Sequence, residues 1–174
     1  MKDKVIICIV GPSGSGKTTM GRVLCETTGY NWICSYTTRP MRDNEADGVD
    51  HRFVNESDMP DKDKMMAYTL FGNYHYWTTF DQFDDNRPNV YIIDEKGVVE
   101  MERIIREKEL DGYELLKVYV KRSNIDVDEE RIKRDDDRDL LPDEIYDLII
   151  ENNETLEKFL ENSIKIIREL VRNI

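Results

Sequence analysis

The chain has 174 residues, of which 39% are hydrophobic and 36% charged, and this length and composition suit one globular domain with a full core. The 37 acidic and 25 basic residues give a net charge of −12, which argues against nucleic acid or an anionic membrane as a partner. Small anionic ligands are compatible with this charge, because a local cluster of cations can outweigh distant acids that salt screens.

The cysteines and the N-terminus predict a cytoplasmic protein. The three cysteines include no C-x-x-C pair, so we expect reduced thiols. The two histidines, His51 and His75, are too few to indicate a zinc site. The N-terminal apolar run 5–10 is too short for a signal-peptide core or a membrane span.

The first half of the chain predicts a strand, a glycine turn and a helix, followed by β structure. "VIICIV" (5–10) is a continuous apolar, β-branched run, which is typical of a strand buried on both faces in a parallel sheet. "GKTTMGRVLCETTG" (16–29) predicts a helix and "NWICSY" (31–36) a second strand. Residues 37–60 predict a loop with short strands, and the aromatic residues and threonines of 65–80 favour β structure.

The second half of the chain again alternates strands and helices. Strands are predicted at 89–97, 114–120 and 146–151, and helices at 98–110, at 126–144 as far as Pro142, and at 153–171. Seven apolar residues of the last helix are expected to face inward: Leu156, Phe159, Leu160, Ile164, Ile167, Leu170 and Val171. The pattern predicts the α/β class, with a parallel sheet flanked by helices on both faces and interrupted by an insertion from about 35 to 88.

"GPSGSGKT" (11–18) fits the phosphate-loop pattern G-x-x-x-x-G-K-[ST], and it lies between a predicted buried strand and a predicted helix. Glycines let the backbone N–H groups point at a polyphosphate, and the helix N-terminus adds partial positive charge. Lys17 is predicted to reach the terminal phosphates, and the Thr18 hydroxyl to ligate Mg²⁺. The candidate phosphate-binding residues are Gly11, Ser13, Gly14, Ser15, Gly16, Lys17, Thr18 and Thr19.

An acid at the end of the strand 89–97 is a candidate for the same site. Asp94 is predicted to hold a water of the metal ion or to orient the acceptor, and the alternative is a solvated strand-end carboxylate.

"SYTTRPMR" (35–42) is a small cationic spot in an acidic chain. Arg39 and Arg42 can clamp a second phosphate through paired hydrogen bonds, and Ser35 adds a hydroxyl. This spot follows the second predicted strand, near the edge where α/β sheets bind ligands, so it predicts a monophosphate acceptor. The alternative is that the arginines form ordinary ion pairs with the acids of 43–47.

"GPSGSGKTT", "SYTTRPMRDNEADGVDHRFV", "YHYWTT", "IIDEKG" and "YDLIIENNETLEKF", in this order and spacing, resemble the guanylate kinase family over nearly the whole chain. The second of these is the most specific, since it identifies the acceptor-binding region. The resemblance implies a P-loop NTPase fold with a core of about 1–34, 89–121 and 144–174, an NMP-binding insertion of about 35–88 and a short lid of about 122–143. It also implies transfer of the γ-phosphate of ATP to GMP or dGMP with Mg²⁺.

The resemblance assigns roles on the acceptor side. It implies that Ser35, Arg39 and Arg42 hold the acceptor phosphate, that Tyr76 adds a hydroxyl there, and that Thr78 faces the base.

On the donor side, the resemblance implies that Arg134 and Arg138 are lid arginines that neutralise charge on the transferred phosphoryl group, and that Asn152 lies near the adenine of ATP. The two arginines lie four residues apart, so they would share one face of a helix. The alternative is a solvated helix in which they pair with the acids of 135–137. The segment between Arg138 and Tyr146 is much shorter than in the family, so a helix that usually carries a further lid arginine is expected to be missing.

Four single-residue departures from the family pattern bear on the substrate. His51 stands where the family usually has a phosphate-binding tyrosine, although imidazole can still donate a hydrogen bond. Trp77 replaces a glycine, and Ile92 replaces the first acid of a D-x-D strand end. Ungapped counting places Ala67 where the family has the glutamate that reads guanine, so the phosphate chemistry is better supported than the base specificity.

The sequence therefore predicts an ATP-dependent nucleoside monophosphate kinase of guanylate kinase type, acting as a monomer or homodimer on small nucleotides. Mg²⁺, near Thr18 and Asp94, is the expected cofactor. Two alternatives stay open: a kinase of the same fold with another acceptor, such as a different nucleotide or a ribose phosphate, and a catalytically inactive domain that binds proteins.

Overall fold

The computed structural model describes residues 4–110, 112–123, 135 and 138–174 of the chain. Within these residues it contains two β-sheets and three α-helices. The elements are, in chain order, β1 (Lys4–Val10), α1 (Lys17–Thr28), β2 (Asn31–Ile33), β3 (Tyr36–Thr37), β4 (Arg52–Phe53), β5 (Met65–Phe71), β6 (Tyr74–Thr79), β7 (Asn89–Ile92), α2 (Glu95–Glu107), β8 (Tyr113–Lys121), β9 (Leu148–Glu151) and α3 (Leu156–Asn173).

The larger sheet is parallel throughout and has the strand order β2-β7-β1-β8-β9. β1 lies at its centre, and its side chains alternate between two cores. Val5, Ile7 and Ile9 pack with α1 and α3, whereas Ile6 and Cys8 pack with α2 on the other face. Burial on both faces explains why the strand is a continuous apolar run rather than an alternating one. The predicted α/β class with helices on both faces is confirmed.

The smaller sheet has the strand order β4-β3-β6-β5 and is built from residues 36–79, inside the predicted insertion. β5 and β6 form a hairpin whose turn residues, Gly72 and Asn73, both have positive φ angles of 55° and 65°. Trp77 is 1% exposed and stacks on Tyr36, with 5.4 Å between ring centroids. This stacking accounts for the aromatic residue at a position where the family has glycine.

Residues of β5 join the smaller sheet to the core. Met66 and Ala67 belong to the same buried cluster as Met101 and Ile104 of α2. α2 therefore packs against both sheets, and its N-terminal end lies where they meet.

Three details of the predicted elements are wrong. The strand predicted at 31–36 is divided, because the chain leaves the larger sheet after Ile33 and enters the smaller one at Tyr36. The strand predicted at 89–97 ends at Ile92, since Asp94 caps α2 by accepting a hydrogen bond from the Gly97 N–H at 2.6 Å. Leu156 is 59% exposed, because it occupies the first turn of α3, before the helix reaches the core.

The helix predicted for 126–144, as far as Pro142, is found at Asp135 but does not continue to Pro142. Residues 138–142 are not helical, and a single 3₁₀ turn follows at Asp143–Ile145. Pro142 lacks an N–H and disfavours helix in the residue before it, which explains why no helix reaches it. Most of 124–137, including Arg134, lies outside the described residues. Arg138 is not helical, so the expected helix face shared with Arg134 does not extend to it.

In the part of the chain that the structure describes, no helix is long and apolar enough to cross a membrane.

Candidate active site

A cavity of about 200 Å³ lies at the carboxyl ends of β1 and β7, facing the smaller sheet. Its walls come from the phosphate loop, from the smaller sheet, from the segment that joins β7 to α2, and from the predicted lid. The lining residues are Gly11, Ser13, Lys17, Ser35, His51, Ala67, Tyr68, Thr69, Phe71, Tyr76, Tyr91, Ile92, Ile93, Asp94, Gly97, Asp135 and Arg138. The edge is the one where parallel α/β sheets bind ligands.

The phosphate loop needs glycine at two positions for separate reasons. Gly11 has a φ angle of 150°, and a Cβ there would collide with the Val120 carbonyl oxygen. Gly16, the N-cap of α1, has a φ angle of 101°, and a Cβ there would lie 2.6 Å from the Asn152 Nδ2. The Lys17 ammonium donates to the Pro12 carbonyl at 2.5 Å, so it folds back over the loop.

Asn152 supports the loop from behind. Its amide donates to the Ser15 carbonyl at 2.8 Å and is buried. Thr18 and Thr19, in the first turn of α1, are exposed, as is Gly14. The expected contact between Asn152 and adenine stays a prediction.

A carboxylate from the predicted lid contacts the loop. Asp135 accepts hydrogen bonds from the Ser13 N–H at 2.9 Å and the Ser13 hydroxyl at 3.2 Å. The loop thus presents an N–H and a hydroxyl to the two oxygens of a carboxylate, and the binding of phosphate there stays a prediction.

At the opposite end of the cavity, Ser35 and His51 are joined by a hydrogen bond of 2.8 Å between Oγ and Nδ1. His51 contacts the Tyr76 ring edge-on, with 5.8 Å between centroids, so three of the residues predicted on the acceptor side lie together. Burial, and then the positive charge of Arg39, lower the pKa of His51 to about 4. The imidazole is therefore neutral at pH 7.

Arg39 and Arg42 lie beside this group rather than in the cavity wall, and both contact Glu45. The Arg39 guanidinium, 8% exposed, donates to the Glu45 carboxylate at 2.7 Å, and the Arg42 backbone N–H donates to it at 2.9 Å. The Arg39 Nε is buried and makes no hydrogen bond of normal geometry to the described residues, although the Tyr76 hydroxyl is near it. The alternative pairing with the acids of 43–47 is therefore found for Glu45. Among the described residues, the buried Nε–H of Arg39 has no acceptor in normal hydrogen-bond geometry.

The wall between the two ends is largely apolar. Ala67 lines it and is 2% exposed, and Thr69 follows on the same face of β5. Thr78, predicted to face the base, is buried and hydrogen-bonded to Gln82 instead, and it is not among the lining residues. Burial raises the pKa of Asp94, and hydrogen bonds from Gly97 and Thr69 offset part of that effect.

A buried ion pair closes one side of the cavity and was not foreseen from the sequence. Arg138 donates to the Glu95 carboxylate through Nε, at 3.2 Å, and through Nη2. The side chains are 8% and 2% exposed. Glu95 directly follows Asp94, but nothing local in "IIDEKG" distinguishes a buried acid from a solvated one.

Comparisons with known proteins agree over most of the chain. The family model described as guanylate kinase matches residues 2–172. A guanylate kinase from Helicobacter pylori is 26% identical over 195 aligned positions, which cover 97% of this chain and 89% of that protein. A guanylate kinase from Salinibacter ruber is 31% identical over 63% of each chain, and one from Nitrobacter winogradskyi is 37% identical over 42% of this chain.

The matched part of this chain spans 36% of the Nitrobacter protein and 63% of the Salinibacter protein, which is less than two thirds of either. Among solved structures, a guanylate kinase from Anaplasma phagocytophilum superposes with a TM-score of 0.68 at 20% identity, covering 99% of this chain and 86% of that one. The likeness extends to the fold, with a parallel sheet and a phosphate loop at its edge. The chain therefore belongs to the guanylate kinase family.

Proposed function

We propose that the protein transfers the γ-phosphoryl group of ATP to GMP or dGMP, giving ADP and GDP or dGDP. The observation that carries this proposal is a single cavity with an anion-binding loop at one end and the Ser35–His51 pair beside Arg39 at the other. Such a cavity suits two phosphate-bearing ligands held end to end. Family membership and the curated relatives, all named guanylate kinase, support this choice of reaction.

The donor nucleotide would lie on residues 11–19. Backbone N–H groups of this loop and the N-terminus of α1 favour the negative charge of the β- and γ-phosphates, and Lys17 would bond to their oxygens. Asn152 keeps the loop in shape through Ser15.

The residues present fit a Mg²⁺ ion that is held mainly by phosphates and water. Thr18 offers an exposed hydroxyl at the start of α1, and Asp94 offers a carboxylate in the cavity wall. Mg²⁺ is commonly bound through one or two such oxygens together with substrate phosphates, which suits this small donor set. When bound, the ion would neutralise charge on the phosphate oxygens.

The acceptor phosphate would lie against Ser35, His51, Tyr76 and Arg39, with Arg42 at the rim. A phosphate oxygen would accept hydrogen bonds from the unused Nε–H of Arg39 and from an N–H of the neutral His51 ring. These contacts would hold the acceptor in line with the γ-phosphorus.

The chemistry then needs little more than position and charge. An oxygen of the acceptor phosphate attacks the γ-phosphorus, and the bond from that phosphorus to the β–γ bridging oxygen breaks, so its electron pair leaves with ADP. No general base is required, because a phosphate monoester is already an anionic nucleophile. Lys17 and Arg138, with Arg134 outside the described residues, would offset the charge on the transferred group.

Replacement of Lys17 tests the proposal. We expect Lys17→Ala to lower kcat for GMP phosphorylation by roughly 100-fold or more, since it removes one preorganised electrostatic contact with the transferred group. The measurement is coupled-assay turnover with ATP and GMP, with circular dichroism as the test of folding. Lys165→Ala, an exposed site on α3, is the control and should keep the wild-type rate.

A folded Lys17→Ala enzyme with wild-type kcat would contradict the phosphate-loop assignment. A wild-type protein without turnover would indicate the inactive protein-binding alternative.

Three further expectations accompany this proposal and stay predictions. They are a cytoplasmic location, the absence of nucleic acid and membrane partners, and a monomeric or homodimeric state.

A further inference from the structure

The ion pair between Glu95 and Arg138 joins the N-terminal turn of α2 to the predicted lid, at the cavity wall. Two guanidinium nitrogens, Nε and Nη2, bond to the two carboxylate oxygens, which is the paired geometry that fixes the plane of the guanidinium as well as its position. Both side chains are more than nine-tenths buried. Either charge alone would be unfavourable in such a place, because a buried charge that loses its partner is left desolvated and uncompensated.

A second contact restrains the same guanidinium. Its central carbon lies 6.0 Å from the centre of the Tyr119 ring, and Tyr119 in turn packs on Tyr146 with 4.8 Å between ring centroids. The Arg138 side chain is thus held by a buried carboxylate and lies next to an aromatic ring that packs against the core. These two contacts hold it in the cavity wall.

We propose that Glu95 is a positioning residue, which orients the Arg138 guanidinium towards the transferred phosphoryl group. This inference rests on the proposed function, in which Arg138 offsets charge in the transition state. A carboxylate bonded to the Nε–H and one Nη2–H leaves the Nη1–H groups and the second Nη2–H to face a phosphoryl oxygen, because guanidinium donors form a fixed fork. Glu95 therefore does not touch the substrate itself. It fixes the orientation of Arg138, which does, just as hydrogen-bond partners of metal ligands fix the orientation of those ligands.

The energetic reason is preorganisation. An unrestrained arginine side chain has many rotamers, and ordering it during the reaction would cost side-chain entropy. An arginine already fixed by Glu95 and Tyr119 has met that cost on folding. The benefit appears in the transition state, where the charge on the phosphoryl group is largest, rather than in ground-state binding.

The test is a kinetic double-mutant cycle on the full chain with ATP and GMP. We expect Glu95→Gln, which keeps the shape and removes the charge, to lower kcat about 10-fold and change KM for either nucleotide less than twofold. Glu95→Asp, which restores the charge, should lose less. In an Arg138→Ala background, Glu95→Gln should cause no further loss of kcat, because the group that it orients is gone.

Asp143→Asn is the matched control. It breaks the surface ion pair between Lys121 and Asp143, whose side chains are 40% and 60% exposed, respectively. This substitution should leave kcat unchanged. If Glu95→Gln does not fold, the cycle is measured with Glu95→Asp in both backgrounds.

Four results would overturn the proposal: an unchanged kcat in Glu95→Gln, a raised kcat, an equal loss in both backgrounds, or a wild-type kcat in Arg138→Ala. All four presuppose that the wild-type protein phosphorylates GMP. Absence of that activity would instead contradict the proposed function itself.

Discussion

At the acceptor end of the cavity, His51 can donate a hydrogen bond to a ligand, but its burial as a neutral ring makes the folded protein less stable at low pH. His51 is bonded to Ser35 and lies near Arg39, whose charge opposes a second positive charge on the imidazole. A neutral ring can donate to a phosphate oxygen at pH 7 as the phenol of a tyrosine would. Unlike a tyrosine, a buried neutral imidazole lowers the free energy of unfolding at any pH low enough to protonate the same histidine in the unfolded chain.

The first residue-scale prediction concerns pH. The pKa of His51 is about 4 in the folded protein and about 6.5 in an unfolded chain, so between these values the unfolded state binds a proton that the folded state does not. Stability is therefore lost as pH falls through this window. We expect His51 to account for about 1–2 kcal/mol of the difference in unfolding free energy between pH 7.5 and pH 5, measured by urea denaturation.

His51→Gln should remove that part of the pH dependence, because glutamine does not titrate. His75→Gln, at the other histidine, is the control and should retain it. An identical pH dependence in His51→Gln and wild type would show that His51 is not buried neutral.

The second residue-scale prediction concerns the base. A glutamate at 67 would accept hydrogen bonds from guanine N1–H and the 2-amino group, whereas Ala67 offers only apolar surface to the cavity. A site that hydrogen-bonds its substrate can reject a mismatch by about 10⁴, and one that relies on shape discriminates far less. We expect activity on GMP and dGMP with weak discrimination, and a preference for guanine over adenine raised at least about tenfold by Ala67→Glu.

The measurement is kcat/KM for GMP, dGMP, AMP, dAMP, UMP and dTMP. Ala67→Gln, which has nearly the same size but no charge, is the control and should sharpen the preference less. Strict use of guanine by the wild type, unaltered by Ala67→Glu, would mean that another side chain reads the base. Thr69, on the same face of β5, is then the candidate.

At the scale of elements, α2 contacts both sheets and the predicted lid. Its N-terminal turn carries Asp94 as cap and Glu95 as partner of the lid, and further along Met101 packs in the core with β1 and β5. Gly97 makes the close approach of this turn to β7 feasible. A Cβ there would lie 2.5 Å from the Ile93 Cγ1 and 2.8 Å from its Cδ1.

We expect Gly97→Ala to destabilise the protein, although alanine is the better helix former. The gain in helix propensity is about 1 kcal/mol, whereas overpacking a tight contact costs about 1–3 kcal/mol, so the net loss should be up to about 2 kcal/mol. Urea denaturation measures it, with Val99→Ala on the same helix, a site 49% exposed, as the control that should change little. A rise in the denaturation midpoint of Gly97→Ala would show that Ile93 moves aside at low cost.

At the scale of the whole molecule, the sequence correctly predicted the elements that depend on local patterns. The strand 5–10, the helix after it and the turn that positions Lys17 depend on neighbours in the chain, and all three appear where they were predicted. The burial of Glu95 could not be predicted, since its partner Arg138 is far away in the chain and only the tertiary structure joins them. The helix predicted before Pro142 was likewise too long, since Arg138, which lines the cavity, is not helical.

The contact between Asp135 and Ser13 has a consequence for nucleotide affinity. A phosphate that reaches the Ser13 N–H and hydroxyl replaces a carboxylate of the protein, so binding at this point is an exchange of one anion for another. The apparent dissociation constant is then the intrinsic one divided by the fraction of molecules whose carboxylate has moved away. In a chain with a net charge of −12, the incoming triphosphate also meets repulsion from other acids. Counter-ions that accompany the nucleotide, Mg²⁺ among them, would thus lower the cost of the exchange as well as the charge of the ligand.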